Sequence, residues 1–309
     1  MKGPLFFAKI LLFGEYGIIE DSKGLSIPYN FYRGALKIPK NKSDQVIEFN
    51  RILIDFAKYL KDIPLKIVVF DWKKFNKDLS LNMYFDSSIP KGYGVGSSGA
   101  LVAAIYDKYA LNKITVLENL TKEKLIKLKS TFSKMESFFH GKSSGLDPLN
   151  SYLSLPILIN SADNIETIGI PSQNSNGKGA VFLLDSGFES ETGPMVTLFI
   201  KNMRNENFNL MIRDEFIKYS DFCIENFLKG DIKSLFNNLK ILSGIVLNNF
   251  TPMIPSSFRD LWKQGIDSNL YYLKLCGSGG GGYLLGFTRD YERTKMVLNK
   301  YNLELVYNF

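Results

Sequence analysis

The side chains able to do chemistry in this sequence sit beside two glycine-rich runs. The first run is Pro90-Lys91-Gly92-Tyr93-Gly94-Val95-Gly96-Ser97-Ser98-Gly99-Ala100, followed directly by the helix-forming stretch Leu101–Tyr106. Three glycines at every second position let the backbone turn tightly and approach a ligand. Ser97 and Ser98 then fall on the first turn of a helix expected at about 97–110. Free N–H groups and the positive end of the helix dipole make that turn an anion site. A serine-capped strand-to-helix turn with no ligand accounts for the same letters. The run is not a Walker A loop, because no Lys follows the glycines in the required place. Nor do a strand and an acidic residue at the usual spacing complete a dinucleotide fingerprint.

Four charged or titratable residues accompany this loop, and each has a plainer reading beside the chemical one. Lys9 interrupts the apolar strand expected over Leu5–Phe13, so it either faces solvent or is placed for a purpose; residue type alone favours solvent. Glu136 falls near the C-terminal end of a helix expected from Lys122 to Phe138, where the dipole disfavours a carboxylate, and a solvated surface position is the default. Asp147 before Pro148 reads as a helix N-cap with proline at the first helical position. His140, the sole histidine, suits a packed loop equally well. The second glycine run, Gly277-Ser278-Gly279-Gly280-Gly281-Gly282, lies between two expected strands, 271–275 and 283–287. It is too short for a flexible linker and leaves a backbone free to approach a loop or ligand.

Taken together, ordered motifs along the chain resemble the GHMP small-molecule kinases, and the mevalonate kinase branch most of all. Pro-x-Gly-x-Gly-x-Gly-Ser-Ser is similar to their phosphate loop. Lys9-Ile-Leu-Leu-Phe-Gly-Glu15-Tyr16 resembles their opening Gly-Lys-Val-Ile-Leu-x-Gly-Glu-His, with Phe7-Ala8 before the Lys and Tyr16 for the His. Glu136-x3-His140-Gly-x-x-Ser144-Gly-x-Asp147 resembles their central segment, with Ser143 for a Pro. Lys274-Leu-Cys-Gly277 to Tyr283 resembles their closing motif, with Ser278 for Ala and Tyr283 for Cys. A fainter likeness surrounds Thr192, where Ser190 stands for the family's Arg.

The resemblance implies an α+β, two-domain GHMP kinase fold. Its N-terminal α/β domain would be like that of a small-subunit ribosomal protein, its C-terminal α+β domain ferredoxin-like, with the active site in the cleft between them. It implies Asp147 as the catalytic carboxylate and Lys9 as the catalytic ammonium. Lys91, Gly92, Gly94, Gly96, Ser97, Ser98 and Gly99 would bind ATP; Ser98 and Glu136 would hold Mg²⁺. Glu15, Tyr16, His140, Ser144, Thr192, Gly279 and Gly280 would line the substrate, a small mevalonate-like alcohol. Phosphomevalonate, a sugar or homoserine are the alternative acceptors. Two other classes stay open: a diphosphomevalonate decarboxylase, and a nucleotide-binding module without turnover. A homodimer is an admissible assembly.

The elements that must position these residues read as follows. A second short strand is expected near Ile18-Ile19, and strands at 31–36, 45–49, 66–71 and 79–84, with a helix over 51–62. A short helix is expected at 114–120. Gly169–Gly179 is the best linker candidate, which divides the chain into 1–176 and 177–309. After it come a strand at 180–184, helices near 194–203, 208–228, 231–248 and 256–267, a helix at 291–301 and a strand at 303–308.

Composition bounds the rest. The 309 residues suit one large unit or two packed domains, and 45% hydrophobic with 22% charged residues is ordinary for a globular protein. Two distant cysteines and one histidine exclude a disulfide framework and a His-rich metal site. The net charge of +7 is carried by scattered lysines, so a solvated basic surface attracting anionic substrates is expected, without nucleic acid. Lys9 and Glu15 break the signal-like opening, and no apolar run reaches a membrane span's length. A reducing cytoplasm without membrane attachment is the expectation.

Overall fold

The computed structural model describes residues 4–41, 43–63, 68–117 and 119–309. By backbone proximity they form two compact units that alternate along the chain. The first comprises Met1–Lys9, Pro28–Pro90 and Gly96–Leu155, and the second Ile10–Ile27, Lys91–Val95 and Pro156–Phe309. Strand β1 (Phe6–Phe13) and strand β2 (Gly24–Lys37) each contribute residues to both.

In the first unit, helix α1 (Asp44–Asp62) begins where the Ser43 side chain accepts the Val46 N–H. It buries Leu53, Phe56, Ala57 and Leu60, a spacing that gives a helix one apolar stripe. Helix α2 (Trp72–Ser80) starts on Asp71, whose carboxylate accepts the Lys74 N–H at 2.9 Å. Strand β3 (Tyr84–Ser87) pairs antiparallel with the end of β2, Gly34 opposite Ser87. Helix α3 (Ser97–Tyr109) is buried nearly all round, as befits a helix with apolar residues on every face. Helix α4 (Lys122–His140) is capped by Thr121 and stops at Gly141, and helix α5 (Leu146–Leu153) follows Gly145.

The second unit holds one whole sheet and part of another, to which β1 and β2 also bring residues of the first unit. In the latter the order is β1-β2-β4-β5, with β4 (Ile157–Ser161) antiparallel both to Gly24–Ser26 of β2 and to β5 (Asn164–Thr167). The other is antiparallel, built from β6 (Ala180–Asp185), β7 (Tyr271–Leu275), β8 (Tyr283–Thr288) and β9 (Leu303–Asn308) in the order β7-β8-β6-β9. β6, β7 and β8 are buried along almost their whole length, which explains their unbroken apolar runs. Helices α6 (Thr192–Asn202), α7 (Glu206–Met211), α8 (Ile217–Lys229), α9 (Ile232–Asn249), α10 (Arg259–Ser268) and α11 (Tyr291–Val297) complete it, a π-turn at Ile212–Phe216 joining α7 to α8. The α+β architecture expected from the sequence is the one observed.

Local expectations fail where a cap or turn outranks alternation. Residues 45–49 are the first turns of α1, because the Ser43 cap and the stripe that follows recruit them. The strand expected at 79–84 is the end of α2 and a turn through Asn82 at φ 58°, and β3 starts only at Tyr84. Of the strand expected at 66–71, residues 66 and 67 lie outside the described residues, and Phe70 makes a single bridge to Ala110. Residues 116 and 117 form a turn where a helix was expected, residue 118 lying outside the described set. Ile18 and Ile19 lie in a 3₁₀ turn, Gly17–Glu20. The last helix ends four residues earlier than its expected 301, at Val297.

Candidate active site

Lys9 does not face solvent. It is 4% exposed, between the buried Ala8 and Ile10, and its Nζ lies 2.9 Å from Asp147 Oδ1. A buried ammonium needs such a partner, and the solvent-face expectation is corrected on that ground. Asp147 in turn is not the N-cap of α5. Gly145, at φ 75°, holds that place and Asp147 is the second helical residue, with Pro148 third. Proline is tolerated there because the first-turn N–H groups have no intrahelical acceptor. Relieved of capping, the Asp147 side chain meets Lys9 and keeps 36% of its surface exposed.

Close backbone approach sets this geometry. A Cβ on Gly145 would strike the Lys129 carbonyl and the Ser133 N–H of α4; one on Gly99 would come within 2.7 Å of Asp147 backbone. Glycine at those two places lets α3, α4 and α5 meet around the carboxylate. Gly96, the N-cap of α3 at φ 81°, would put a Cβ 3.0 Å from Lys9 Cγ. The N-terminus of α3 therefore opens beside the Lys9–Asp147 pair.

Glu136 is also buried, at 4% exposure, because it continues the inward stripe of Leu125, Leu128, Phe132 and Met135 on α4. The surface reading is corrected. Ser98 Oγ donates to Glu136 Oε1 at 2.9 Å and lies 2.8 Å from His140 Nε2, while Ser143 Oγ donates to Glu136 Oε2. The roles of Ser98 Oγ and His140 Nε2 in their hydrogen bond follow from the imidazole tautomer. Burial, and next the charge of Asp147, push the Glu136 carboxyl up to about 7, against the hydrogen bonds from Ser143 and Ser98 and the charge of Lys9. Burial lowers the His140 imidazole, opposed by Asp147. Ser144 Oγ accepts the Leu146 N–H within the turn before α5, and Ser97 is half-buried at the start of α3. Ser143 was missed as a site residue; its departure from the family's Pro was the available signal.

The remaining expected site residues belong to the second unit. Lys91 and Gly92 are exposed, and the Gly92 carbonyl accepts the Ser190 N–H at 3.0 Å. Gly94, at φ 77°, packs its Cα against the Cys276 carbonyl, and Gly282 approaches Tyr93 so closely that a Cβ would stand 2.6 Å from its Cα. The Tyr93 and Tyr283 rings meet edge-to-face at 4.9 Å. The two glycine runs are thus in direct contact within this unit. Gly279 and Gly280 have φ of 70° and 83°, and Ser190 Oγ donates to the Gly279 carbonyl at 2.6 Å. Glu15 is paired with Lys274, both side chains 5% exposed. Tyr16 stacks on Phe199 and donates its hydroxyl to the Ser278 carbonyl. Thr192 is exposed as the first residue of α6. Lys274, the first residue of the closing motif, and Ser190, which stands for the family's Arg, were given no site role from the sequence.

Two oxygen donors side by side, Ser98 Oγ and Glu136 Oε1, suit a hard divalent cation. Among the described residues no three His, Cys, Asp or Glu side chains gather as a metal site. A cation here would draw its other oxygens from water and ligand, the usual condition for Mg²⁺. Among the same residues, no helix is long and apolar enough to cross a membrane.

Residues 62–154 match the family model described as the GHMP kinases N terminal domain. No curated protein sequence matches the chain. Among solved structures, the fold is similar to a mevalonate kinase of L. major in complex with R-mevalonate, at TM-score 0.63 and 15% identity over 97% of this chain and 93% of that one. It is similar to a Streptococcus pneumoniae phosphomevalonate kinase in complex with phosphomevalonate and AMPPNP, at 0.62 and 15%, over 98% of each chain. It is also similar to a Lactococcus lactis galactokinase complexed with galactose, at 0.59 and 12%, over 98% of this chain and 93% of that one. The fold is that of the GHMP kinases along nearly the whole chain.

Proposed function

We propose that this chain, which matches the GHMP kinases in sequence over residues 62–154 and in fold over nearly its whole length, transfers a phosphoryl group from ATP to the hydroxyl of a small alcohol, with mevalonate as the acceptor. The observation that carries the reading is the Lys9–Asp147 pair lying against the N-terminus of α3, with Ser98 and Glu136 one step away.

Phosphoryl transfer rests on positioning and charge neutralisation more than on covalent work by the protein. The α3 N-terminus and the N–H groups of residues 92–99 bind the phosphates, and Lys91 adds a cationic side chain at the loop's entrance. Asp147, half open to solvent, accepts the acceptor's hydroxyl proton at a carboxylate oxygen. Lys9 holds that carboxylate in place and balances negative charge on the transferred group. Ser98 and Glu136 would hold Mg²⁺, which would supply further neutralisation of the phosphate oxygens. His140, through Ser98, fixes the hydroxyl's orientation.

Mevalonate is favoured by the motifs around Lys9–Tyr16 and Glu136–Asp147 and by the mevalonate kinase among the fold's neighbours. We assign 1–176 as the ATP-binding domain and 177–309 as the C-terminal domain. Both cysteines are buried free thiols, in keeping with a cytoplasmic enzyme.

The test is ADP release from ATP and Mg²⁺ with mevalonate, phosphomevalonate, galactose and homoserine offered separately, beside Asp147→Asn. Turnover with mevalonate, abolished in the variant, is the expected result. Turnover confined to phosphomevalonate keeps phosphoryl transfer and moves its acceptor from a hydroxyl to a phosphate oxygen, and CO₂ release overturns the kinase assignment. Silence with all four acceptors, with ATP still bound, leaves the fold and overturns the choice of substrate.

A further inference from the structure

The position at which the family resemblance puts a histidine is held here by Tyr16, and its surroundings give it a different task. Its ring is buried, 5% exposed, stacked on Phe199 at 4.6 Å and tilted against Phe250 at 5.6 Å. Its hydroxyl donates at 2.5 Å to the carbonyl of Ser278, within the second glycine loop. Burial, then the charge of Glu15, raise the phenol's pKa, so it stays a donor. The recess lined by Glu15, Tyr16, Phe216, Phe250 and Lys274 measures about 10 Å³, room for a single water.

The backbone at Tyr16 is also unusual. Its φ of 61° and ψ of −41° lie in territory that a residue with a Cβ rarely occupies. Such conformations persist where the surroundings over-determine them, and they cluster at functional places. Here the determinants are the aromatic stack, the hydroxyl bond and the neighbouring Glu15–Lys274 pair, with Lys274 Nζ also donating to the Leu275 carbonyl at 3.0 Å. All converge on the entry to Gly277–Gly282.

That loop has four further ties: Ser190 Oγ to the Gly279 carbonyl, the Gly280 N–H to the Met253 carbonyl, the Gly282 N–H to the Phe188 carbonyl and the Ser186 N–H to the Gly282 carbonyl. It touches the first glycine run through Gly94 against Cys276 and Gly282 against Tyr93. We infer that Tyr16 is a positioning residue: through its hydroxyl bond to Ser278 it sets the glycine loop 277–282 and, through that loop, residues 92–94 of the phosphate loop. This rests on the kinase reading for its consequence in nucleotide binding, though not for the loop's order.

Two readouts separate the possibilities. Tyr16→Phe keeps the stack and removes only the hydroxyl; Ser190→Ala removes an independent tie to the same loop. In the ligand-free protein, amide exchange at Gly280 and Gly282 is expected to quicken roughly 2- to 12-fold in each variant, the range for one lost hydrogen bond, with the melting temperature little changed. With ATP titrated calorimetrically in Mg²⁺, both variants are expected to bind more weakly by a similar factor, while the KM for the acceptor alcohol stays put. Unchanged exchange at the two glycines overturns the inference. So does quickened exchange with unaltered ATP affinity, or a rise in the acceptor's KM alone, which would return Tyr16 to the substrate. If the parent protein binds no ATP, the kinase reading fails and the claim on the phosphate loop with it. The exchange result then decides the loop's order by itself.

Discussion

Strand β1 carries Lys9 in its middle and delivers Glu15 just past its end, and each residue belongs to a lysine–carboxylate pair of a different kind. Lys9 meets Asp147 at 2.9 Å, with the ammonium 5% and the carboxylate 36% exposed. Lys274 meets Glu15 with both at 5%. A pair open on its carboxylate side can exchange partners, give up or take a proton and receive a ligand. A pair closed on both sides has a large desolvation penalty to offset and holds its neighbours in register. Burial of one partner or of both divides a reactive pair from a fastening one.

The largest expected effect lies at the open pair. Asp147→Asn should lower turnover by about 10²–10⁴-fold, the usual contribution of a positioned proton acceptor, with ATP affinity nearly unchanged by calorimetry. Retained turnover would remove Asp147 from the chemistry and erase the contrast. Next is the closed pair. Lys274→Met takes away the ammonium opposite a buried carboxylate and should destabilise by about 3–5 kcal/mol in urea unfolding, with Lys274→Met/Glu15→Gln recovering part of it. Lys9→Met should show the reverse profile, a kcat loss of about 10²–10³-fold with the smaller stability change. Equal unfolding losses for the two lysines would break the comparison.

Smaller effects sharpen it. Gly94→Ala forces a Cβ onto the Cys276 carbonyl at φ 77° and should destabilise by about 1–3 kcal/mol, read as a lowered melting temperature. Lys23, paired with Glu225 at 34% and 43% exposure, provides the baseline. Lys23→Ala should shift stability by about 0–1 kcal/mol and leave turnover alone.

The glycine runs, α3, α4 and the buried strands β6 to β8 were legible because their signals are local: spacing, caps and unbroken apolar stretches. The burial of Lys9 and Glu136 was not. Each is one charged letter in an apolar pattern, and its partner lies far along the chain, Asp147 for Lys9 and Ser98 for Glu136. Family resemblance pointed to both where residue type pointed to the surface. Ser143 escaped notice because a departure from a motif looks like loss until its hydroxyl is seen bonded to Glu136. Residues 45–49 misled because Val46, Ile47 and Phe49 are good strand formers, and only the cap two residues before the segment and the stripe beyond it assign it to a helix.

His140 stands 2.8 Å from Ser98 Oγ and is the one histidine among 309 residues. In a proton magnetic resonance spectrum its imidazole carbon-bound hydrogens therefore give the protein's sole histidine signals, with no isotope label or assignment campaign required. Whatever comes to rest on Ser98 will displace those two lines, so the chain carries a built-in reporter at the spot where its chemistry is proposed to begin.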